Sequence, residues 1–224
     1  MIRIFYVDAF TKELFKGNPA AVCILEEWPG DDILQAIAFE NNLSETAFVN
    51  LRENPLQIRW FTPTLEVELC GHATLATARI LFDEYFQNES KISFQSKSGE
   101  LVALQKDDMI NLDFPIDHPT VIESEPLISE SLKCEPIGIL KGRSDYLAIM
   151  ASEKEIKNLQ PDFSTMAKLN SRGLVVSAES SEADFISRCF YPQTGVDEDP
   201  VTGSAHCMLA AYWSKKLNKN KLNA

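Results

Sequence analysis

The 224-residue chain is poor in histidine, in positive charge and in long apolar runs, and each shortage excludes something. Lysine and arginine number 21 against 33 aspartates and glutamates, a formal net charge of −12. Such a chain repels a phosphate backbone, which argues against nucleic acid as a partner. No apolar run reaches the roughly 18–20 residues that cross a bilayer, so no membrane span is expected. The opening Met-Ile-Arg-Ile-Phe-Tyr-Val has strand character and not the layout of a signal peptide. The five cysteines (Cys23, Cys70, Cys134, Cys189 and Cys207) are odd in number and widely spaced, with no CxxC. That pattern fits neither a disulfide framework nor a zinc site. It suits a reduced, cytoplasmic protein whose cysteines act as small buried hydrophobes. Hydrophobic residues make up 45% and charged residues 24%, which excludes disorder. The length allows one large domain or two small ones.

Strand-like runs alternate with a few helices. Arg3–Asp8, Ala20–Leu25, Thr46–Leu51 and Leu56–Phe61 are β-rich, and a helix opens at Pro29-Gly30-Asp31 with Ile33, Leu34, Ile37 and Ala38 on one face. Gly71–Phe86 predicts a helix that is small and apolar on nearly every side, hence a buried one. Three strands follow near Lys91–Gln95, Glu100–Gln105 and Met109–Phe114, and then Pro115–Pro136 has the composition of a linker. Beyond it the pattern repeats. Arg59-Trp60-Phe61-Thr62-Pro63 returns 129 residues later as Arg188-Cys189-Phe190-Tyr191-Pro192, and Asn41 falls on Asn170. Cys70-Gly71-His72-Ala73 falls on Thr202-Gly203-Ser204-Ala205, and Gly203–Leu217 predicts a second buried helix. Matches in order at a nearly constant offset point to a duplicated unit. Two units of this kind are expected to face one cleft.

Three constellations carry possible chemistry. Each central helix begins with a small-residue step, Cys70-Gly71-His72 and Thr202-Gly203-Ser204. Helix N-termini offer unpaired N–H groups and partial positive charge, suited to a carboxylate or a developing enolate. The plainer account is that glycine and serine merely start helices. Asp197-Glu198-Asp199-Pro200 precedes the second helix. Its acids either complement the helix dipole, or Asp199 is held by Pro200 to orient a substrate or share in proton transfer. Ser44-Glu45 lies between a helix end and an apolar strand, and Glu45 has no acidic counterpart in the repeat, where Leu174 falls. It is either a solvated strand-edge carboxylate or a base whose pKa an apolar cleft would raise. His72 is either a satisfied structural residue or a neutral hydrogen-bond partner and proton relay.

Taken together, Gly17-Asn18-Pro19, Leu43-Ser44-Glu45-Thr46-Ala47-Phe48, Phe61-Thr62-Pro63, Cys70-Gly71-His72-Ala73-Thr74 and Asp199-Pro200-Val201-Thr202-Gly203-Ser204-Ala205 resemble the PhzF-like isomerases of phenazine biosynthesis. The match runs from Arg3 to about Trp213. The resemblance implies an α+β, diaminopimelate epimerase-like fold of two similar domains, each a barrel-like sheet around a central apolar helix. It implies residues 1–115 as the first domain and 116–224 as the second, with the active site between them. It implies a homodimeric isomerase of a small carboxylate-bearing substrate that needs neither metal nor organic cofactor. Glu45 is then the acid/base, His72 and Asp199 its catalytic partners, and Ser44, Gly71, Thr202, Gly203 and Ser204 substrate-binding residues. Two rivals stand beside this reading. A racemase or epimerase of the same fold would use a cysteine at each helix start; Cys70 fits the first place, but Thr202 occupies the second. A small-ligand-binding relative would have lost catalysis. The repeat predicts that the second domain lacks its last strands: three strands follow the first central helix, whereas only seven residues follow Leu217. The Lys215–Ala224 tail is expected to be a frayed helix end.

Overall fold

The computed structural model describes residues 2–13 and 15–224; Met1 and Leu14 lie outside the described residues. The chain divides into two compact units, Met1–Pro115 and Ile116–Ala224. In the first, β1 (Arg3–Ala9) and β2 (Asn18–Leu25) pair antiparallel. Helix α1 (Asp31–Asn41) crosses over to β3 (Thr46–Asn50), which runs parallel to β2. Strands β4 (Leu56–Phe61) and β5 (Glu66–Val67) follow antiparallel, and then comes helix α2 (Gly71–Ile80). Strands β6 (Lys91–Ser96), β7 (Gly99–Lys106) and β8 (Met109–Asp113) complete an eight-stranded sheet, with β6 parallel to β4.

Alternation along the strands builds both faces of this sheet. Ala20, Val22, Ile24, Ala47, Val49, Ile58 and Trp60 share one core with Ala73, Ala76 and Ala78 of α2. Cys23, Leu25, Phe48 and Phe61 turn the other way, onto Leu34 and Ala38 of α1. Because both faces are covered, β2 and β3 are buried almost throughout, as a parallel pair requires. The small side chains of α2 let the sheet approach it closely. The helix expected over Gly71–Phe86 changes character at Leu81, where Leu81–Tyr85 forms a wider π-type turn. Gly17, ahead of β2, is required sterically: a Cβ there would stand 2.3 Å from the Ala9 carbonyl oxygen.

The second unit repeats this order. Strands β9 (Thr120–Ile122), β10 (Gly138–Lys141) and β11 (Asp145–Ile149) pair antiparallel in succession. Strand β12 (Gly173–Glu179) is parallel to β11, and β13 (Phe185–Tyr191) and β14 (Val196–Asp199) follow antiparallel. Helix α6 (Ala205–Leu217) packs Ala205, Met208, Leu209 and Trp213 on one face of the six-stranded sheet. The short helices α3 (Pro126–Leu132), α4 (Glu153–Asn158) and α5 (Phe163–Met166) cover the other face. The order β10–β14 thus matches β1–β5, and among the described residues nothing in this unit corresponds to β6–β8.

Three expectations need correction. The stretch Pro115–Pro136 is no linker: it holds β9 and α3, whose Ile128 and Leu132 are core residues. Its Pro126 sits in the first turn of α3, where proline fits. The second central helix starts at Ala205, with Gly203 and Ser204 in the turn before it. The C-terminal tail is tied down: the Asp184 backbone N–H donates to the Asn223 carbonyl, the Asn223 N–H donates to Asp184 Oδ2 at 2.8 Å, and Lys219 pairs with Asp184.

The repeat extends to an ion pair. Arg59 grips Glu66 with two 2.8 Å hydrogen bonds and lies 5.1 Å over the Phe61 ring. Arg188 grips Glu198 at 2.7 and 2.8 Å and lies 5.0 Å over Phe190. Hydrogen bonds from Arg59 hold the Glu66 carboxyl below its ordinary 4.5, against the opposing effect of burial. A depressed folded pKa gives stability that is present above the unfolded value and lost as pH falls. We therefore expect the thermal midpoint of the protein to drop on acidification from about pH 5 to about pH 3. Glu66→Gln should cost on the order of 1 kcal/mol at neutral pH and flatten that drop; an unchanged acid profile would contradict this role.

Candidate active site

The first polar site grows from two chain ends that meet at the start of α2. Helix α1 stops at Asn42, whose left-handed backbone (φ 49°, ψ 38°) turns the chain, and Asn41 donates through Nδ2 to Thr46 Oγ1 at 3.1 Å. Thr46 is fully buried and pairs with both Ala21 and Phe61. Ser44 and Glu45 are thereby fixed just ahead of a central strand. From the other side, Cys70 is the N-cap residue of α2 in extended conformation, and its own side chain makes no capping hydrogen bond. His72, 1% exposed, lies in the first turn.

The imidazole of His72 joins three neighbours. Its Nε2 is 3.5 Å from Ser44 Oγ and 3.7 Å from Glu45 Oε2, and its Nδ1 is 3.5 Å from Cys70 Sγ. The Glu45 side chain keeps 18% of its surface exposed, while its Oε2, the oxygen that faces His72, is buried. A carboxylate in contact with a histidine at a helix N-terminus can take up and return a proton while the helix dipole favours negative charge nearby. Of the residues expected on this unit, the structure brings Ser44, Glu45 and His72 together and sets Gly71 between His72 and Cys70 in the helix start. Cys70 joins them. Its burial among Val67, Ala73 and Trp60 is what a packing residue shows, but its thiol also faces the ring. Sequence spacing did not reveal this because only the fold brings Glu45 to Cys70. One carboxylate oxygen, one sulfur and one ring nitrogen of Glu45, Cys70 and His72 lie within 4.8 Å of one another, the sole such metal-competent group among the described residues.

The second polar site lies at the start of α6. Asp199, 8% exposed, ends β14 and accepts a 2.5 Å hydrogen bond from Thr202 Oγ1. His206 Nδ1 is 2.9 Å from the Thr202 carbonyl oxygen, at the place where Thr74 bonds the Cys70 carbonyl in α2. Glu198, its neighbour in sequence, belongs to the Arg188 pair instead. Ser204 accepts from Arg172 at 3.3 Å, and Arg172 forks onto the buried Asp145 and lies 5.1 Å over the Tyr191 ring. Arg172 and Asp145 were missed by sequence reasoning. The available signal was an aspartate heading a strand that is otherwise apolar and wholly buried. Burial pushes the Tyr191 hydroxyl well above its ordinary value and the Cys189 thiol up to about 12, so both stay protonated at neutral pH.

A profile of the phenazine biosynthesis-like protein family, PhzC-PhzF, matches residues 7–224. An uncharacterized isomerase of Halalkalibacterium halodurans is 48% identical over 225 residues, covering 99% of this chain and 85% of that protein. The crystal structure of a PhzF-family protein of Enterococcus faecalis superposes with a TM-score of 0.87 at 43% identity, over 98% of this chain and 84% of that one. A hydroxyproline epimerase of Agrobacterium vitis has a TM-score of 0.67 at 9% identity, over 98% of this chain and 78% of that one; this likeness concerns the fold alone. The architecture is therefore the α+β, epimerase-like fold. No described helix is long and apolar enough to cross a membrane.

Proposed function

The chain belongs to the phenazine biosynthesis-like family, PhzC-PhzF, and from that starting point we propose that it is an isomerase that moves a proton within a small carboxylate-bearing substrate. The observation that carries the proposal is the contact of Glu45 with His72 at the buried start of α2. In this reading the Glu45 carboxylate removes a proton from a carbon next to the substrate's carboxylate or conjugated system. The electron pair of the broken C–H bond spreads into that system as an enolate-like charge. N–H groups at the start of α2 around Gly71 stabilise it. Protonated Glu45 then gives the proton to a different carbon of the same ligand, so the step balances without an oxidant or reductant. Ser44 and His72 hold Glu45 and exchange hydrogen bonds with it as its charge changes. Asp199, Thr202 and Ser204 bind the substrate's polar groups, with Arg172 and Asp145 fixing Ser204. The proposal includes the homodimeric state that the family resemblance implies, which sedimentation at several concentrations tests, and the cytoplasmic location that the cysteine pattern suits.

A racemase of this fold would need a second thiol where Thr202 stands. The two readings separate on Cys70→Ala. Exchange of substrate hydrogen with D₂O, followed by NMR, is expected to fall by no more than about tenfold in this variant. Loss of all exchange in Cys70→Ala would favour the thiol mechanism.

A further inference from the structure

Glu45, Cys70 and His72 can do more than pass a proton. Cys70 Sγ and His72 Nδ1 stand 3.5 Å apart. Two ligands on one tetrahedral zinc, with Zn–S of about 2.3 Å and Zn–N of about 2.0–2.1 Å, stand about 3.5 Å apart as well. Both residues sit in the rigid, buried start of α2, so this half of a chelate is preformed. Glu45 supplies an oxygen from a separate element, all three donors lying within 4.8 Å of one another. Its side chain keeps 18% of its surface exposed, while the Oε2 that faces His72 is buried with the other two donors. Three protein ligands, one each of sulfur, nitrogen and oxygen, leave a fourth position open, and a sulfur donor selects soft or borderline cations over Mg²⁺ and Ca²⁺.

We propose that this cluster is an inhibitory site for a thiophilic divalent cation, Zn²⁺ or Cd²⁺. Binding deprotonates the Cys70 thiol, whose proton leaves to solvent, and no electron is transferred. The ion takes Glu45 and His72 out of proton transfer, so it switches the isomerase off. The inhibitory half of the proposal rests on the function proposed above; the binding half does not.

The test is a Co²⁺ titration of the full chain, followed by Zn²⁺ competition against a chromogenic chelator, for wild type, Cys70→Ala and Cys70→Ser. Circular dichroism checks that each variant is folded. The expected result is one equivalent bound per chain with a thiolate-to-cobalt charge-transfer band. Both variants lose that band, and their Zn²⁺ affinity falls by at least about tenfold. Equal affinity in wild type and both variants, or cobalt bound without the band, overturns the proposal. Stoichiometric Zn²⁺ is also expected to stop solvent-hydrogen exchange in wild type and to spare Cys70→Ala. Exchange that persists in wild type with Zn²⁺ bound through Cys70 overturns the inhibitory role. If the metal-free protein exchanges no substrate hydrogen at all, the proposed function fails, and the cobalt and zinc titrations still decide the binding site.

Discussion

Replacing Glu45 with glutamine is expected to slow exchange of substrate hydrogen with solvent by about 10²–10⁴-fold, the usual contribution of a positioned acid/base. Glutamine keeps the size and shape of the side chain and removes only its capacity to carry a proton. The Glu45 side chain is partly exposed, and the residue heads β3 without being part of the ladder, so the fold should survive. The thermal midpoint is the control and should move little. Glu45→Asp should retain more activity than Glu45→Gln, because it keeps the carboxylate and shortens its reach toward the substrate. Exchange at the wild-type rate in Glu45→Gln would remove Glu45 from the reaction.

Trp213→Ala is expected to have the largest effect on stability, a loss of about 3–5 kcal/mol in urea unfolding. Trp213 is 1% exposed and stacks on Phe185 with ring centroids 5.6 Å apart and planes 5° from parallel. Its Nε1–H donates to Ser177 Oγ at 2.9 Å, and that hydroxyl in turn donates to the Ile186 carbonyl at 2.8 Å. One side chain therefore joins α6 to β12 and β13. Truncation leaves a cavity in the core that supports the start of α6, so Thr202 and Ser204 should also lose their placement and substrate affinity should fall. Trp213→Phe keeps most of the apolar volume and leaves Ser177 without its donor, a loss of about 1 kcal/mol from the hydrogen bond. A change under about 1 kcal/mol in Trp213→Ala would contradict this account of the second core.

Much of the fold was legible because apolar periodicity and the offset repeat both follow from burial. Strands β1–β4 and β6–β8 lie within a residue or two of their expected ends, and both central helices are where their small apolar residues place them. The Arg59–Glu66 and Arg188–Glu198 pairs show how deep the repeat runs, down to the same arginine over the same phenylalanine. Helix α3 was hidden because Pro126, Ser129, Glu130 and Ser131 have loop composition, while its apolar contribution to the core is just Ile128 and Leu132 with Leu127 at the margin. The tail was misread because its anchor, Asp184, lies far away in sequence. The same limit applied to the site. Ser44, Glu45 and His72 could be named as residues, but the Cys70–His72–Glu45 line is a product of tertiary contact. So are Arg172 and Asp145, whose pairing across 27 residues leaves no mark in local pattern.

The most direct test of the central claim is where a hydrogen goes. Small unsaturated or hydroxylated carboxylic acids are incubated with the full chain in D₂O, and the products are read by proton and deuterium NMR. The account predicts that at least one is converted to a positional isomer, its double bond moved and deuterium at a carbon that carried no exchangeable hydrogen before, and that Glu45→Gln abolishes this. Deuterium appearing only at the original carbon with inversion of configuration, unaffected by Glu45→Gln and lost in Cys70→Ala, would contradict it.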